Sequence, residues 1–305
     1  MRRIQEALEA AVQAISGFVP GAVKAEHKAG NQLVTEADRK INRVLQEFLV
    51  RDGEGWLSEE SADDLTRLEK KRVWVVDPLD GTREFVAGIP EWSISVAMIE
   101  NGRGVAGGVC NPATGEIFLG ATGLGVTQNG VPVRPTECKS LSAALVLASR
   151  SETERGEWDS FRSAPFATRP MGSVAYKLAL VSAGLADATW TMVPKNEWDI
   201  AAGVVLVEAA RGFVRRLDDS PLRFNRKSTL VPGLVACGTG LREEVCELLE
   251  NHLRGAEQVN ETAEVRGWKL EMRRGEMDCG SGVEKKPRER QVAAGRGRKK
   301  VASDE

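Results

Sequence analysis

The stretch Arg72-Val-Trp-Val-Val-Asp-Pro-Leu-Asp-Gly-Thr82 constrains this 305-residue chain more than any other. Its apolar, β-branched run (Val73, Trp74, Val75, Val76) predicts a buried strand. The strand delivers two carboxylates, Asp77 and Asp80, at its exit, where Pro78 and Gly81 break it. Desolvating two unpaired acids costs several kcal/mol. Unless water covers them, a cation belongs between them, and a divalent metal held by oxygen ligands is the leading candidate.

Composition closes off other routes. The five cysteines (Cys110, Cys138, Cys237, Cys246, Cys279) are scattered and form no CxxC, which argues for reduced thiols in a cytoplasmic compartment and against zinc. A net charge of −2 gives no global pull toward nucleic acid or membrane. No apolar run approaches the roughly 20 residues that span a bilayer. Arg2 and Arg3 are soon followed by Glu6 and Glu9, unlike a signal peptide.

Taken in order, residues 2–16 read as an amphipathic helix, with Ile4, Leu8, Val12 and Ile15 on one face. A polar segment with Lys28, Gly30 and Asn31 leads to Leu33-Val-Thr-Glu-Ala-Asp38 and a second helix whose apolar face is Ile41, Val44, Leu45 and Phe48. Thr35 caps it with Asp38 three residues on, a pair that serves a cap alone or a cap and a site. Beyond Thr82 the spacing predicts an antiparallel meander, with turns at Asn101-Gly102 and Asn129-Gly130. From about Leu141 strands alternate with helices: strand Ala143–Ala148, helix 155–163, helix Val174–Ala183 introduced by Gly172-Ser173, strand Ala188–Met192, and a helix opened by Asn196-Glu-Trp-Asp199. Strands at Gly212–Val214 and Leu234–Cys237 and a closing helix Leu241–Leu253 complete the pattern. The expected organisation is an α/β protein with an α+β half over 1–140 and an α/β half over 141–254. Residues 255–305 read as a disordered, charged tail; 284–305 hold eight Lys or Arg against four Asp or Glu.

The acids share a placement. Asp38 and Asp199 open helices, Asp77 and Asp80 leave a strand, and Glu59 follows a short apolar run. Five converging carboxylates would repel one another unless two or three Mg²⁺ ions sat among them, and Mg²⁺ is commonly used together with substrate phosphates. Gly81 and Thr82, at the start of a short helix, offer N–H groups to an anion. Metals beside a phosphate cradle suggest phosphoester hydrolysis.

Asp77-Pro-Leu-Asp-Gly-Thr82, Ser58-Glu-Glu-Ser61 and Trp198-Asp-Ile-Ala-Ala-Gly203 resemble the three signature motifs of the inositol monophosphatase superfamily, and Val34-Thr-Glu-Ala-Asp38 resembles its N-terminal motif. The resemblance covers about residues 5–253 with the motifs in the expected order. It implies a layered αβαβα sandwich. It implies that Glu59, Asp77 and the Leu79 carbonyl hold a first Mg²⁺ and Asp77, Asp80 and Asp199 a second, with Glu59 and Asp38 supporting a third. Thr82, hydrogen-bonded to Asp38, would orient the attacking water. Inhibition by Li⁺ and homodimer formation are family habits. The substrate would be a small phosphorylated metabolite, bound on the protein side by Asp80, Gly81, Thr82, Gly172, Ser173, Lys177 and Asp199, with Arg150 and Lys195 as further candidates.

Which ester is less legible. Where inositol monophosphatases place a glutamate that contacts inositol, this chain has Met192, which cannot accept those hydrogen bonds. Ser58 and Lys177 look more like the 3′(2′),5′-bisphosphate nucleotidase branch, and Lys177 is either a partner for a second phosphate or a solvated helix lysine. The reading leans to the nucleotidase, with inositol monophosphatase next and a fructose-1,6-bisphosphatase-like enzyme third. A non-catalytic metal- or phosphate-binding protein is the alternative of another class, against which Thr82 argues, since a binder has no need to orient water. Arg211 stands in Ala-Ala-Arg-Gly where the family usually has paired glycines, and would be strained there if the position requires positive φ.

Overall fold

The central strand exists and is longer than the apolar run: it spans Arg72–Asp80 in the computed structural model, which describes residues 1–27 and 33–254. The polar residues Lys28, Gly30 and Asn31, Cys279 and the charged tail over 255–305 lie outside the described residues. The chain begins with helix α1 (Arg2–Ala14), strands β1 (Ala25–His27) and β2 (Leu33–Thr35), helix α2 (Glu36–Leu49), and strands β3 (Gly55–Ser58) and β4 (Arg72–Asp80). Helix α3 (Thr82–Ala87) precedes the meander β5 (Ser93–Glu100), β6 (Arg103–Asn111), β7 (Glu116–Ala121), β8 (Gly125–Gln128) and β9 (Val131–Val133). Then come β10 (Leu145–Ser149), α4 (Arg150–Glu154), β11 (Ala167–Met171), α5 (Val174–Ser182), β12 (Ala188–Thr191) and β13 (Lys195–Asn196). Helix α6 (Glu197–Ala209) is followed by β14 (Phe213–Arg216), β15 (Leu230–Val231) and β16 (Leu234–Cys237), and a helix begins at residue 242.

Two sheets carry the architecture. One has seven strands in the order β3-β4-β5-β6-β7-β8-β9, the other five in the order β11-β10-β12-β16-β14. Strand β4 shows why layers form around it. Trp74 and Val76 join Ile4, Leu8, Ile41 and Leu45 of α1 and α2 on one face. Val73 and Val75 join Leu178, Ala179, Ile200, Ala201 and Val204 of α5 and α6 on the other, the period-2 alternation of a strand covered on both sides. Helices α5 and α6 also meet Leu147, Leu234 and Ala236 of the five-stranded sheet. Buried between two sheets, they are apolar all round rather than striped. The outer face of the second sheet packs Trp190 and Val235 against Trp158, Phe161, Val245 and Leu249. The succession helix, sheet, helix, sheet, helix is the layered α/β sandwich expected from the sequence.

Local grammar held where a turn or cap dictates it. Asn101 (φ 51°) and Gly102 (φ 76°) make the hairpin between β5 and β6, and Asn129 (φ 49°) and Gly130 (φ 81°) that between β8 and β9. It failed in three places. The helix expected over 155–163 lies earlier, at Arg150–Glu154, because Ser149 caps it; Gly156 (φ 81°) stops it, and a 3₁₀ turn at Asp159–Phe161 follows. Strand β11 was not foreseen: its Pro170 disqualifies it as a central strand, and it lies at the edge beside β10. The core face of α2 is Ile41, Asn42, Leu45 and Leu49, which leaves Phe48 exposed.

Arg211 sits at φ 64°. An L-residue there is strained by about 1–2 kcal/mol, partly offset by the extra unfolded-state entropy that glycine brings. Arg211→Gly is therefore expected to stabilise the protein by roughly 0.5–1 kcal/mol, a rise of about 1–4 °C in Tm. A lower Tm in differential scanning calorimetry would contradict the strain.

Candidate active site

The strand exit is bent by one extra residue. Asp77 pairs with Ser95 and Asp80 with Ser93, so three steps on β4 oppose two on β5. Pro78, with no N–H to give the ladder, sits in this bulge. Without the shift, Asp77 and Asp80 would fall on opposite faces; with it, both line one cavity of about 280 Å³. Glu59 enters from the end of β3, Asp199 from the first turn of α6, and Leu79, Gly81, Thr82, Gly172, Ser173 and Lys177 also line it, as do Arg150 and Lys195. Gly81 is obligatory at φ 96°, where a Cβ would also lie 3.0 Å from the Glu91 carbonyl.

Asp38 reaches this cavity through Thr82. Its Oδ2 accepts from Thr35 N (2.8 Å) and Thr35 Oγ1 (2.5 Å), the capping box, so Oδ1 is left to face Thr82 Oγ1 at 3.3 Å. The pair thus serves as a cap and as part of the site. Thr82 Oγ1 is also 3.1 Å from the Leu79 carbonyl. Asp199 repeats the device on α6, accepting from Asn196 N at 2.8 Å.

Glu59, Asp77 and Asp199 each bring a carboxylate oxygen within 4.8 Å of the others. Asp80 is not in this trio: its Oδ2 accepts from Ser173 Oγ (2.6 Å) and Ala175 N (2.7 Å), anchoring the start of α5. Asp77 is 1% exposed. Burial, then the Glu59, Asp80 and Asp199 charges, push its pKa well above the ordinary value. Burial, then Asp80, carries Asp199 up to about 7, and burial also raises Asp38 and Asp80. An all-oxygen donor set under mutual repulsion fits a hard divalent cation such as Mg²⁺.

Each raised acid binds its proton more tightly folded than unfolded, so metal-free stability falls as pH rises from about 4 toward 7. Acids held below their ordinary values, Glu54, Asp63 and Glu152, have deprotonated in both states by about pH 5. With a chelator present, Tm is expected to fall between pH 5 and pH 7.5, and Mg²⁺ to restore it most at the upper end. A chelated Tm that rises over that interval would contradict the cluster's electrostatics.

Some partners escape sequence reading because they lie far apart in the chain. Glu197, 0% exposed, accepts from Asn225 N (2.6 Å) and Arg226 N (3.0 Å). Buried Arg67 grips Asp63 at 2.8 Å and donates to Asn225 Oδ1 at 2.7 Å. One loop thereby ties the segment after Glu59 to the helix start that carries Asp199. Glu91 accepts from Gly172 N (3.0 Å) and pairs with Arg150, and Glu152 pairs with Lys195 at 2.8 Å. Ser58 donates to Asn42 Oδ1 at 2.7 Å and anchors its loop to α2 rather than facing the cavity. Met192 lies apart as well, lining a separate apolar cavity with Trp158, Phe161 and Trp190.

The sequence profile of the inositol monophosphatase family matches residues 2–254. An inositol-1-monophosphatase of Rhizobium meliloti is 35% identical over 59% of this chain and 70% of its own. A 3′-phosphoadenosine 5′-phosphate phosphatase of Mycobacterium bovis is 34% identical over 70% of this chain and 78% of its own. Among solved structures, the IMPase of Thermotoga maritima superposes with a TM-score of 0.72 at 28% identity, covering 84% of this chain and 99% of the other. No described helix is long and apolar enough to cross a membrane.

Proposed function

We propose, on the premise that this chain belongs to the inositol monophosphatase family and is a phosphoric monoester hydrolase, that it hydrolyses a small metabolite at the Asp77 cavity, with 3′(2′),5′-bisphosphate nucleotides as the favoured substrates. The observation that carries the reading is the convergence of Glu59, Asp77 and Asp199 beside the Thr82–Asp38 pair. Glu59, Asp77, Asp199, Asp80 and the Leu79 carbonyl would hold two or three Mg²⁺ ions. When bound, Mg²⁺ supplies the positive charge that offsets the charge on the phosphoryl group and makes a water more acidic. The chain's own residues do the rest. Asp38, fixed by Thr35, holds the Thr82 hydroxyl, whose oxygen accepts from a water and aims it in line with phosphorus. Gly81 and Thr82 at the start of α3 border the phosphate, and Gly172 and Ser173 border the remainder of the substrate.

Two observations support the nucleotide preference: Met192, which stands where the polyol-facing glutamate is expected, lies outside the cavity, and buried Lys177 lines it. Inositol 1-phosphate is the second reading, favoured by relatives that bear the inositol-1-monophosphatase name. Phosphate release from 3′-phosphoadenosine 5′-phosphate, inositol 1-phosphate and fructose 1,6-bisphosphate tests both. The expected result is Mg²⁺-dependent turnover, abolished by chelation and inhibited by Li⁺, with the highest kcat/KM for the nucleotide. Higher kcat/KM for inositol 1-phosphate would replace the first reading by the second, and no turnover of any ester would remove both.

A further inference from the structure

Glu59 and Asp199 bring their oxygens together from different layers of the fold. Glu59 follows β3 of the seven-stranded sheet, and Asp199 lies in the first turn of α6, between the two sheets. Like charges in a buried site repel, which drives such carboxylates apart. An octahedral Mg²⁺, with ligands about 2.0–2.1 Å from the ion, tolerates little error in where they stand. Part of the chain therefore has to hold the two elements at their spacing before a cation arrives.

The segment 225–230 grips the Asp199 side. Glu197 accepts from Asn225 N (2.6 Å), Arg226 N (3.0 Å) and Arg226 Nε (3.3 Å). Thr229 Oγ1 donates to Asn196 Oδ1 at 3.0 Å, and Leu230 pairs with Asn196 between β13 and β15. Asn196 is the residue that caps α6 and gives its N–H to Asp199. The same segment is held on the Glu59 side by Arg67, whose side chain is 1% exposed. Arg67 Nη1 donates to Asn225 Oδ1 (2.7 Å), and Asn225 Nδ2 donates back to the Arg67 carbonyl (3.1 Å). Arg67 Nη2 reaches the Arg226 carbonyl (3.0 Å) and Asp63 (2.8 Å). Arg67 also lies against the start of β3, where a Cβ on Gly55 would fall 3.1 Å from Arg67 Cβ. The loop that carries Glu59 is thus closed at one end by β3 and at the other by Arg67. Burying the Arg67 guanidinium and the Glu197 carboxylate is weak evidence of stabilisation, and Asn225 holds a left-handed φ of 58°. What the clasp does fix is geometry, because a planar guanidinium with acceptors on three residues admits few arrangements.

We propose that Arg67, Asn225 and Glu197 are positioning residues that set the spacing of Glu59 and Asp199 and so preorganise the site for a divalent cation. None of the three lines the cavity. The inference rests on the metal-site reading above and deepens it by assigning cation affinity to a clasp that touches neither cation nor substrate.

The test is Mn²⁺ binding to the full chain without substrate, followed by the electron paramagnetic resonance of free Mn²⁺ at a temperature where every variant is folded. Asn225→Gly deletes the side-chain half of the clasp, while glycine accepts the positive φ and keeps the amide that Glu197 binds. It is expected to weaken Mn²⁺ binding about tenfold, the scale of losses for residues that orient metal ligands. In turnover the defect should appear as a higher Mg²⁺ requirement, with kcat at saturating Mg²⁺ changed far less. Asn225→Asp keeps an oxygen for Arg67 and should recover most of the affinity. Wild-type affinity in Asn225→Gly, or a loss in Asn225→Asp as deep as in Asn225→Gly, would overturn the clasp while leaving the metal site in place. If Asn225→Gly does not fold, Arg226→Met decides instead, since it removes the side-chain bond to Glu197 at a position 34% exposed. Weakened Mn²⁺ binding there upholds the clasp and unchanged binding overturns it. A wild-type chain that binds no Mn²⁺ would remove the metal-site reading itself.

Discussion

Asp77→Asn is expected to lower phosphate release by at least about 10³-fold while leaving the chain folded. The reason is local. Asp77 is the buried member of the carboxylate trio, and an amide in its place removes the charge that would hold a divalent cation between Glu59 and Asp199. Loss of several kcal/mol of transition-state charge stabilisation is a factor of ten for each 1.36 kcal/mol. The fold should tolerate the change, because an asparagine oxygen can still accept from Leu79 N, now 3.0 Å from Asp77 Oδ1. Without metal the variant should melt higher than wild type, since one acid of a mutually repelling, buried set is gone. Activity lost while metal-free stability rises is an outcome that misfolding cannot imitate. Near-wild-type turnover would refute the assignment. Asp80→Asn is a less clean probe, because Asp80 also anchors the start of α5 through Ser173 and Ala175.

The second large effect is expected at Thr82. Thr82→Ala should lower kcat by about 10²–10³-fold with KM changed little, the usual scale for a positioned proton-handling group. The hydroxyl lies 3.3 Å from Asp38 Oδ1, and Asp38 is fixed by two bonds from Thr35, so removing the hydroxyl together with the γ-methyl breaks the chain of orientation without moving the carboxylate. Thr82→Ser keeps the hydroxyl and should retain most of the activity. Steady-state kinetics on the two variants tests this, and wild-type kcat in Thr82→Ala would sink the role.

Much of the site was legible because each contribution is local. Asp-Pro-Leu-Asp-Gly-Thr announces the end of a strand, although the strand runs on through a bulge at Pro78 to Asp80, and Thr35 and Asp38 announce a cap; the acids ride on these features. The folded chain brings the expected metal and phosphate residues to one cavity, with Asp38 joining through Thr82, while Ser58 and Met192 lie outside it. The partners that position them were not legible. Glu152 reaches Lys195 across 43 residues and Arg67 reaches Asn225 across 158, distances at which no short pattern exists. Glu152 sits on the short helix Arg150–Glu154, ahead of the helix expected over 155–163, where Trp158 and Phe161 pack from a turn and a 3₁₀ turn against Trp190. The role of Ser58 was not legible either: its hydroxyl holds a loop to Asn42.

Where a divalent cation binds is the most direct test of the site. Crystals soaked with Mn²⁺ in place of Mg²⁺ and measured for anomalous scattering answer that question without any assumption about substrate. A strong peak is expected among Glu59, Asp77 and Asp199, absent from Asp77→Asn crystals. A wild-type crystal with no peak there, or with its only ordered Mn²⁺ elsewhere on the molecule, would contradict it.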